Sequence, residues 1–189
     1  PYKLVWVVNK NILNFIDDFP RDKIKLVMSG TPEEVKETAT AKIIVDNERR
    51  TSYINRGIFK KPDQIYIQTF HGSLGIKKTG VDRNDASKKA LRICKIDSSQ
   101  IDYLVSNSAY TTNFFKSMFW NYGTVIECGH PRNDIFFKDN KEVKKKVYNY
   151  FKIPANKKII MYAPTLREDG NLSCYSLNLE QTAQAVEKK

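Results

Sequence analysis

The chain has few cysteines, no long apolar run and none of the common nucleotide-binding signatures. Its three cysteines, Cys94, Cys128 and Cys174, are widely spaced and form no Cys-x-x-Cys pair. This pattern is typical of a reducing compartment and predicts neither a disulfide framework nor a zinc site. No stretch approaches the ~20 apolar residues of a membrane-spanning helix. The absence of Gly-x-x-x-x-Gly-Lys-Ser/Thr and Gly-x-Gly-x-x-Gly turns argues against nucleotide triphosphatases and dinucleotide enzymes, and we expect no cofactor.

Acidic residues are also under-represented. The 189 residues include 32 lysines and arginines against 21 aspartates and glutamates, which gives a formal net charge of +11. Such a charge calls for an anionic partner, but nucleic acid, phospholipid headgroups and phosphorylated substrates all qualify.

The length suits one α/β domain with some 30 residues to spare. Because residue 1 is proline rather than methionine, we expect an excerpt or a processed chain.

Strand-like runs alternate with helical patterns along the chain, which predicts an α/β fold with a mostly parallel sheet covered on both faces. Seven runs are predicted as strands: Lys3–Val8, Ile24–Met28, Lys42–Asp46, Ile65–Phe70, Ile101–Val105, Thr124–Cys128 and Lys158–Tyr162. A proline-bearing linker at 153–156 predicts a boundary between a first domain, residues 1–153, and the incomplete beginning of a second, residues 154–189. A single βα unit cannot bury both faces of its strand, so the second domain needs further elements.

Two helix starts are well marked. Thr31, Pro32 and Glu34 form a capping box with proline at the first helical position, where Glu34 can accept from the cap amide. After the fifth strand, Ser106 or Ser108 can cap a helix. The apolar face of that helix is predicted at four-residue spacing: Tyr110, Phe114 and Met118.

Ligands of open parallel sheets bind beyond the carboxyl ends of the strands, so the residues that follow each strand are the site candidates. His71 and Gly72 follow the fourth strand, Arg132 lies in the turn after the sixth, and Thr165 follows the seventh. Each has a structural alternative: His71 as a satisfied core histidine, the 129–134 segment as a turn with a helix cap, and Thr165 as a cap alone. Hydroxyl, imidazole and guanidinium groups at one edge suit a phosphate-bearing ligand.

Three segments, in this order, resemble one family. They are residues 68–73 (Gln-Thr-Phe-His-Gly-Ser) followed by Lys77-Lys78, residues 129–134 (Gly-His-Pro-Arg-Asn-Asp) and residues 162–167 (Tyr-Ala-Pro-Thr-Leu-Arg). The family is the CDP-glycerol glycerophosphotransferases of teichoic acid and capsule polymer synthesis. The resemblance covers nearly the whole chain and implies a GT-B-like architecture, in which two Rossmann-like domains face a cleft. It also implies transfer of glycerol phosphate from CDP-glycerol to the hydroxyl of a lipid-linked acceptor, with release of CMP.

The same resemblance implies roles for residues of the first domain. His71 matches the family's essential histidine and would be the general base, a role for which an imidazole that titrates near neutral pH is suited. The loop of Gly72, Ser73, Leu74 and Gly75 would present backbone amides to the donor diphosphate. This loop departs from the Thr-Pro-Leu version frequent in the polymerases, so ribitol remains open as an alternative to glycerol.

Arg132 would offset charge on the transferring phosphoryl group, and Pro164 and Thr165 match the second domain's first contact with the nucleotide donor. The given sequence ends before the family's further histidine and serine-rich loop, so the 189 residues alone are expected to turn over weakly or not at all. We expect a cytoplasmic protein, peripheral at the inner face of the membrane, with no nucleic-acid partner. Two alternatives stay open: a non-catalytic polyanion-binding module, and a GT-B nucleotide-sugar glycosyltransferase.

Overall fold

The computed structural model describes residues 2–15, 20, 22–72, 86–119, 122–164 and 177–187. The chain forms two compact units, Pro1–Lys138 and Asp139–Lys189. The helix that begins directly after Asn140 therefore belongs to the second unit. The domain boundary after residue 153 stays a prediction.

The first unit carries the strands. They are β1 (Leu4–Val8), β2 (Ile24–Met28), β3 (Ile43–Asp46), β4 (Ile65–Gln68), β5 (Tyr103–Ser106) and β6 (Thr124–Glu127). All pairs among them are parallel, which confirms the predicted architecture. The ladders form two sheets instead of one among the described residues: β1 with β2, and β3 to β6 in sequence order. Since every strand runs the same way, their carboxyl ends meet at one edge of each sheet.

Helices connect the strands. They are α1 (Pro32–Thr40), α2 (Thr51–Asn55), α3 (Lys88–Gln100) and α4 (Ala109–Phe119) in the first unit, and α5 (Lys141–Tyr150) and α6 (Leu179–Glu187) in the second. Short 3₁₀ helices span Lys10–Phe15 and Pro131–Phe137. Among the helices that the structure describes, none combines the length and the apolar character needed to cross a membrane.

The start of α1 follows the predicted capping box with one difference. Thr31 Oγ1 accepts from Glu34 N at 3.2 Å, and Pro32 is the first helical residue. Glu34 bonds back to Gly30 N at 2.8 Å, one residue before the cap amide that the sequence suggests. The same carboxylate also takes both Nη groups of Arg56, at 3.0 and 3.1 Å. This bidentate pair satisfies a carboxylate that is 1% exposed.

The core lies between the four-stranded sheet and α4. Tyr66 and Leu104 from the sheet pack against Phe115 and Met118 of the helix. The buried stripe of α4 runs through Thr111, Phe115 and Met118, at i, i+4 and i+7. Of the predicted stripe, Met118 is confirmed, Phe114 is partly buried and packs against the core, and Tyr110 is wrong. Tyr110 is 61% exposed, because its position lies one residue round the helix from the stripe.

The opposite face of this sheet is covered only in part among the described residues: Val105 is 8% exposed, but other apolar residues of the face are more exposed. Val45 is 60% exposed, and Ile43, Tyr103 and Ile126 are each more than a third exposed. Strand alternation places all four on the face away from Tyr66 and Leu104. The prediction of helices over both faces thus holds for one face of the described structure.

The predicted strand Lys158–Tyr162 is wrong, since these residues have no regular secondary structure. The described part of the second unit, residues 139–164 and 177–187, contains no other strand that could pair with it. An extended segment without a ladder partner leaves its backbone groups to solvent, and Ile160 and Met161 are accordingly 65% and 83% exposed.

Candidate active site

The loop after β4 is shaped by an unusual backbone turn. Thr69 N donates to Asp46 O at 2.9 Å, which extends the β3–β4 pairing by one residue. Phe70 then adopts a positive φ of 52°, a conformation that non-glycine residues rarely hold. The turn sends the next residue, His71, away from the core and out of the sheet's edge.

His71 is exposed, with its ring held from one side. Its Nδ1 lies 2.9 Å from the backbone oxygen of Asn47, in the loop after β3. A carbonyl oxygen can only accept, so in the neutral ring Nδ1 carries the proton and Nε2 presents a lone pair. The ring also stacks on Phe70, with centroids 4.5 Å apart. The alternative of a buried core histidine is therefore excluded, and the imidazole is arranged as a proton acceptor.

Arg132 reaches the same loop from the end of β6. Gly129, with a φ of 83°, turns the chain into the 3₁₀ helix that begins at Pro131. From this helix Arg132 Nη1 donates to the backbone oxygen of His71 at 2.6 Å. The structure thus brings together two of the predicted site residues. A guanidinium has five N–H donors, so this contact leaves Arg132 able to bind a phosphate beside the imidazole.

His130 differs from His71 in every respect that matters for proton transfer. Its Nε2 is buried and has no hydrogen-bond partner within the described residues. Burial, with a smaller contribution from Arg132, lowers the pKa of His130. It is therefore neutral at physiological pH, and we assign it to the turn rather than to the reaction.

A polar cavity of about 230 Å³ borders the loop that holds His71. Asn47 belongs to its lining, together with Asp46, Arg50 and residues from the ends of β1 and β2. Burial raises the pKa of Asp46 to about 6, against the opposing charge of Arg50. Arg50 is 3% exposed, lies 3.3 Å from Asp46 and sits over the ring of Tyr53. The cavity offers carboxyl, amide and cationic groups to a polar ligand.

The other predicted site residues are less defined. Gly72 is half-buried, and a Cβ built on it would meet no atom within 4 Å. Pro164 is exposed in the second unit. Ser73, Leu74, Gly75 and Thr165 lie outside the described residues. Within the described residues, no group of three or more acidic, histidine or cysteine side chains could hold a metal ion.

Two groups at this site escaped the sequence analysis. One is the backbone oxygen of Asn47, which no side-chain pattern can reveal. The other is Gln68, which is fully buried and bonds to Phe70 N, Glu48 O and Tyr66 Oη. A signal for Gln68 does exist. Strand alternation puts this polar residue on the same face as Tyr66, where a core residue is expected.

Parallel strands joined by helices, with loops that meet at the carboxyl edge of the sheet, are a Rossmann-like architecture. The fold of this chain matches the solved structure of the wall teichoic acid polymerase TagF with a TM-score of 0.68 and 24% identity, over 99% of this chain and 54% of that one. All of the chain, residues 1–189, matches the family described as CDP-Glycerol:Poly(glycerophosphate) glycerophosphotransferase. The chain belongs to this family.

Two curated relatives are teichoic acid poly(glycerol phosphate) polymerases. The one from Staphylococcus epidermidis is 33% identical over 166 residues, which are 79% of this chain and 22% of the relative. The one from Bacillus spizizenii is 32% identical over 176 residues, which are 89% of this chain and 43% of the relative. The chain thus spans less than half the length of the curated relatives it matches.

Proposed function

We propose that this chain is the acceptor-side part of a polyol phosphotransferase. The reaction moves glycerol phosphate from CDP-glycerol to the hydroxyl of a lipid-linked acceptor and releases CMP, in teichoic acid or capsule polymer synthesis. The observation that carries the proposal is the contact between Arg132 and His71 in a member of this family. The imidazole of His71 is exposed, and the guanidinium of Arg132 lies 2.6 Å from the backbone oxygen of the same histidine. The family match does not favour a non-catalytic polyanion-binding module.

The proposed step uses these two groups in turn. Nε2 of His71 takes the proton of the acceptor hydroxyl as its oxygen attacks the phosphorus nearest the glycerol. The bond from that phosphorus to the bridging oxygen breaks, and CMP leaves with the bond's electron pair. Arg132 offsets the charge on the transferring phosphoryl group, where electrostatics dominate the barrier. A positioned base contributes ~10²–10⁴-fold.

The remaining assignments extend this scheme to the donor. Backbone amides of Gly72, Ser73, Leu74 and Gly75 would bind the diphosphate, and Pro164 and Thr165 would contact the nucleotide from the donor-binding domain. Glycerol is preferred over ribitol as the transferred polyol, because both relatives named above are poly(glycerol phosphate) polymerases. Parallel assays with CDP-glycerol and CDP-ribitol decide between them.

We place the reaction at the inner face of the membrane, where a lipid-linked acceptor is met. Exposed apolar groups stand beside cationic ones in each unit. In the first unit Phe136 and Phe137 are 75% and 90% exposed, next to Lys138. In the second unit α5 carries four lysines, and its last residue Tyr150 and the following Phe151 are 81% and 65% exposed. Basic segments with aromatic side chains suit anionic lipid surfaces.

The test of the base is its replacement in the full product of the gene. His71→Gln keeps a polar side chain of similar size but accepts no proton at neutral pH, and His71→Ala removes the ring. Both are expected to lower CMP release from CDP-glycerol by at least about 100-fold. Because His71 is exposed, both should keep the melting temperature and circular dichroism of the parent. Unchanged CMP release in His71→Gln would rule out the proposed base.

A further inference from the structure

Gln68 connects the two loops that hold the proposed base. It is the last residue of β4 and is 0% exposed. Its Oε1 accepts from Phe70 N at 2.8 Å, and its Nε2 donates to Glu48 O at 2.9 Å. The second Nε2 proton goes to Tyr66 Oη at 2.8 Å. One side chain thereby uses both of its donors and its acceptor inside the core.

These bonds lie on both sides of the contact that orients His71. Phe70 directly precedes His71, and Glu48 directly follows Asn47, whose oxygen faces Nδ1. The distance from ring to carbonyl therefore depends on how the two loops are held together. Besides the Thr69–Asp46 bonds, which lie in the ladder direction, Gln68 supplies a side-chain link between these loops.

The bond to Phe70 also supports a backbone conformation that costs energy by itself. A non-glycine residue at positive φ persists when its surroundings over-determine it. Here the amide of Phe70 is held by Gln68, and the Phe70 ring packs at the edge of the core cluster. Loss of the Gln68 acceptor is therefore expected to loosen this turn, and with it the direction of the His71 ring.

Tyr66, which accepts from Gln68, is itself hydrogen-bonded to a residue of α3. Tyr66 Oη lies 3.3 Å from Asp97 Oδ1, and Asp97 Oδ1 also accepts from Arg50 N at 3.2 Å. Asp97 is fully buried on α3. The network therefore runs from α3 through Tyr66 to Gln68, and it holds the 47–50 loop by a second route. Fully satisfied buried networks of this kind fix a single arrangement.

We propose that Gln68 is the positioning residue that keeps His71 in the tautomer protonated on Nδ1, so that the Nε2 lone pair faces the acceptor hydroxyl. The catalytic role of Gln68 rests on the proposed function, since it concerns the base of that reaction. The control of the tautomer rests on the hydrogen-bond geometry alone. Loss of the Gln68 bonds releases Asn47 O from Nδ1, and the ring then populates both neutral tautomers.

A matched control lies on the same segment. Gln64 is 4% exposed, accepts from Lys61 N through Oε1 and donates to Thr38 O and Ala41 O through Nε2. It has the same chemistry as Gln68 but sits before β4, at the amino end of the sheet. Gln64→Met and Gln68→Met each remove one buried amide and its three bonds. Any loss of stability common to both variants is thereby separated from the effect on His71.

The first readout is the tautomer itself. The chain has two histidines, so ¹⁵N-histidine labelling gives a spectrum of two imidazoles, assigned with His71→Gln. At a pH where the imidazoles are neutral, the parent and Gln64→Met should show His71 protonated on Nδ1, and Gln68→Met a mixture. Gln68→Glu keeps the acceptor and loses both donors, and it serves if the methionine variant does not fold. An unchanged His71 signature in the folded Gln68 variants overturns the proposal.

The second readout is catalytic, in the full product of the gene. Gln68→Met is expected to lower kcat by about 10-fold or more with KM for CDP-glycerol within about 2-fold, whereas Gln64→Met leaves both near the parent values. The two proposals fail separately. If the tautomer changes but His71→Gln remains active, the proposed base is wrong and the tautomer control stands. If kcat of Gln68→Met stays at the parent value while His71→Gln is inactive, the positioning role is wrong.

Discussion

The Nη1 of Arg132 donates to the backbone oxygen of His71 over 2.6 Å, although 61 residues separate the two along the chain. The contact joins the turn after β6 to the turn after β4. It points a cation at the backbone of the residue whose ring is held by Asn47 from the opposite loop. Three loops thus meet at His71: its own loop after β4, the loop after β3 through Asn47 O, and the turn after β6 through Arg132 Nη1.

Replacing Arg132 should affect transfer far more than stability. Arg132→Ala removes one exposed hydrogen bond, so we expect a loss below about 1 kcal/mol in the free energy of unfolding. The loss of a cation at the phosphoryl group should lower kcat by about 100-fold. Arg132→Lys keeps the charge without the planar fork, so its kcat should fall between that of the parent and that of Arg132→Ala. Urea unfolding and CMP release measure both effects.

The control for Arg132 is Arg92, an exposed arginine on α3. Arg92→Ala makes the same change in net charge. Arg92 lies on α3, outside the two loops that carry His71 and Arg132. Its CMP release should match that of the parent. Equal rates for Arg132→Ala and Arg92→Ala would contradict a role for Arg132 in the reaction.

Membrane association should depend on both charge and exposed aromatic groups. Phe136→Ser combined with Phe137→Ser should weaken binding to phosphatidylcholine vesicles that contain phosphatidylglycerol by about 10-fold, because two apolar side chains no longer enter the interface. Higher salt should weaken the binding of the parent as well. Vesicle sedimentation measures the bound fraction.

Tyr2→Ser removes a comparably exposed aromatic residue, 74% exposed, before β1. It should leave vesicle binding unchanged. The membrane proposal fails if the parent does not sediment with anionic vesicles, or if it binds vesicles of pure phosphatidylcholine equally well.

The contribution of Asp46 to the free energy of unfolding should fall as the pH rises from about 4 to 6. Burial raises the pKa of Asp46 to about 6, with Asp97 and Glu48 adding to the effect and Arg50 opposing it. The folded state therefore binds this proton more tightly than the unfolded chain, and its contribution to stability is present at low pH and lost as the pH passes the folded pKa.

Asp46→Asn removes that titration while keeping the side-chain shape. Between pH 4 and 6 the parent should lose about 1 kcal/mol more unfolding free energy than the variant, less than the full linkage value because part of the side chain is exposed. Urea unfolding at the two pH values gives this difference, in which groups common to both proteins cancel. Parallel pH profiles for parent and variant would show that Asp46 is not a buried titrating group.

Local patterns predicted the elements well where a strand or helix has its own chemical signature. The alternating residues of β4 and the Thr31 cap of α1 are of this kind, because side-chain alternation and a capping hydroxyl act within a few residues. The segment Lys158–Tyr162 shows the limit of such patterns. Its residues favour a strand, but a strand exists only with a partner, and pairing is not a local property.

The face of a helix that is buried was also beyond the local pattern. Both Phe114 and Phe115 of α4 are large and apolar, and Met118 fits either stripe. Contact with Tyr66 and Leu104 of the sheet selects Phe115. The choice depends on the angle at which the helix meets the sheet, which a single helix cannot encode.

The common direction of the strands and the placing of His71 and Arg132 at strand ends follow from the sequence alone, because chain alternation predicts a parallel sheet and a parallel sheet has one carboxyl edge. The protonation of the imidazole does not. It depends on a backbone oxygen from Asn47, a buried amide at Gln68 and a left-handed turn at Phe70, and these meet only once β3 and β4 lie side by side. Each of these hydrogen bonds joins a side chain to a backbone atom of a kind that every residue carries. Only the folded chain therefore determines which backbone atoms come within reach of which side chain.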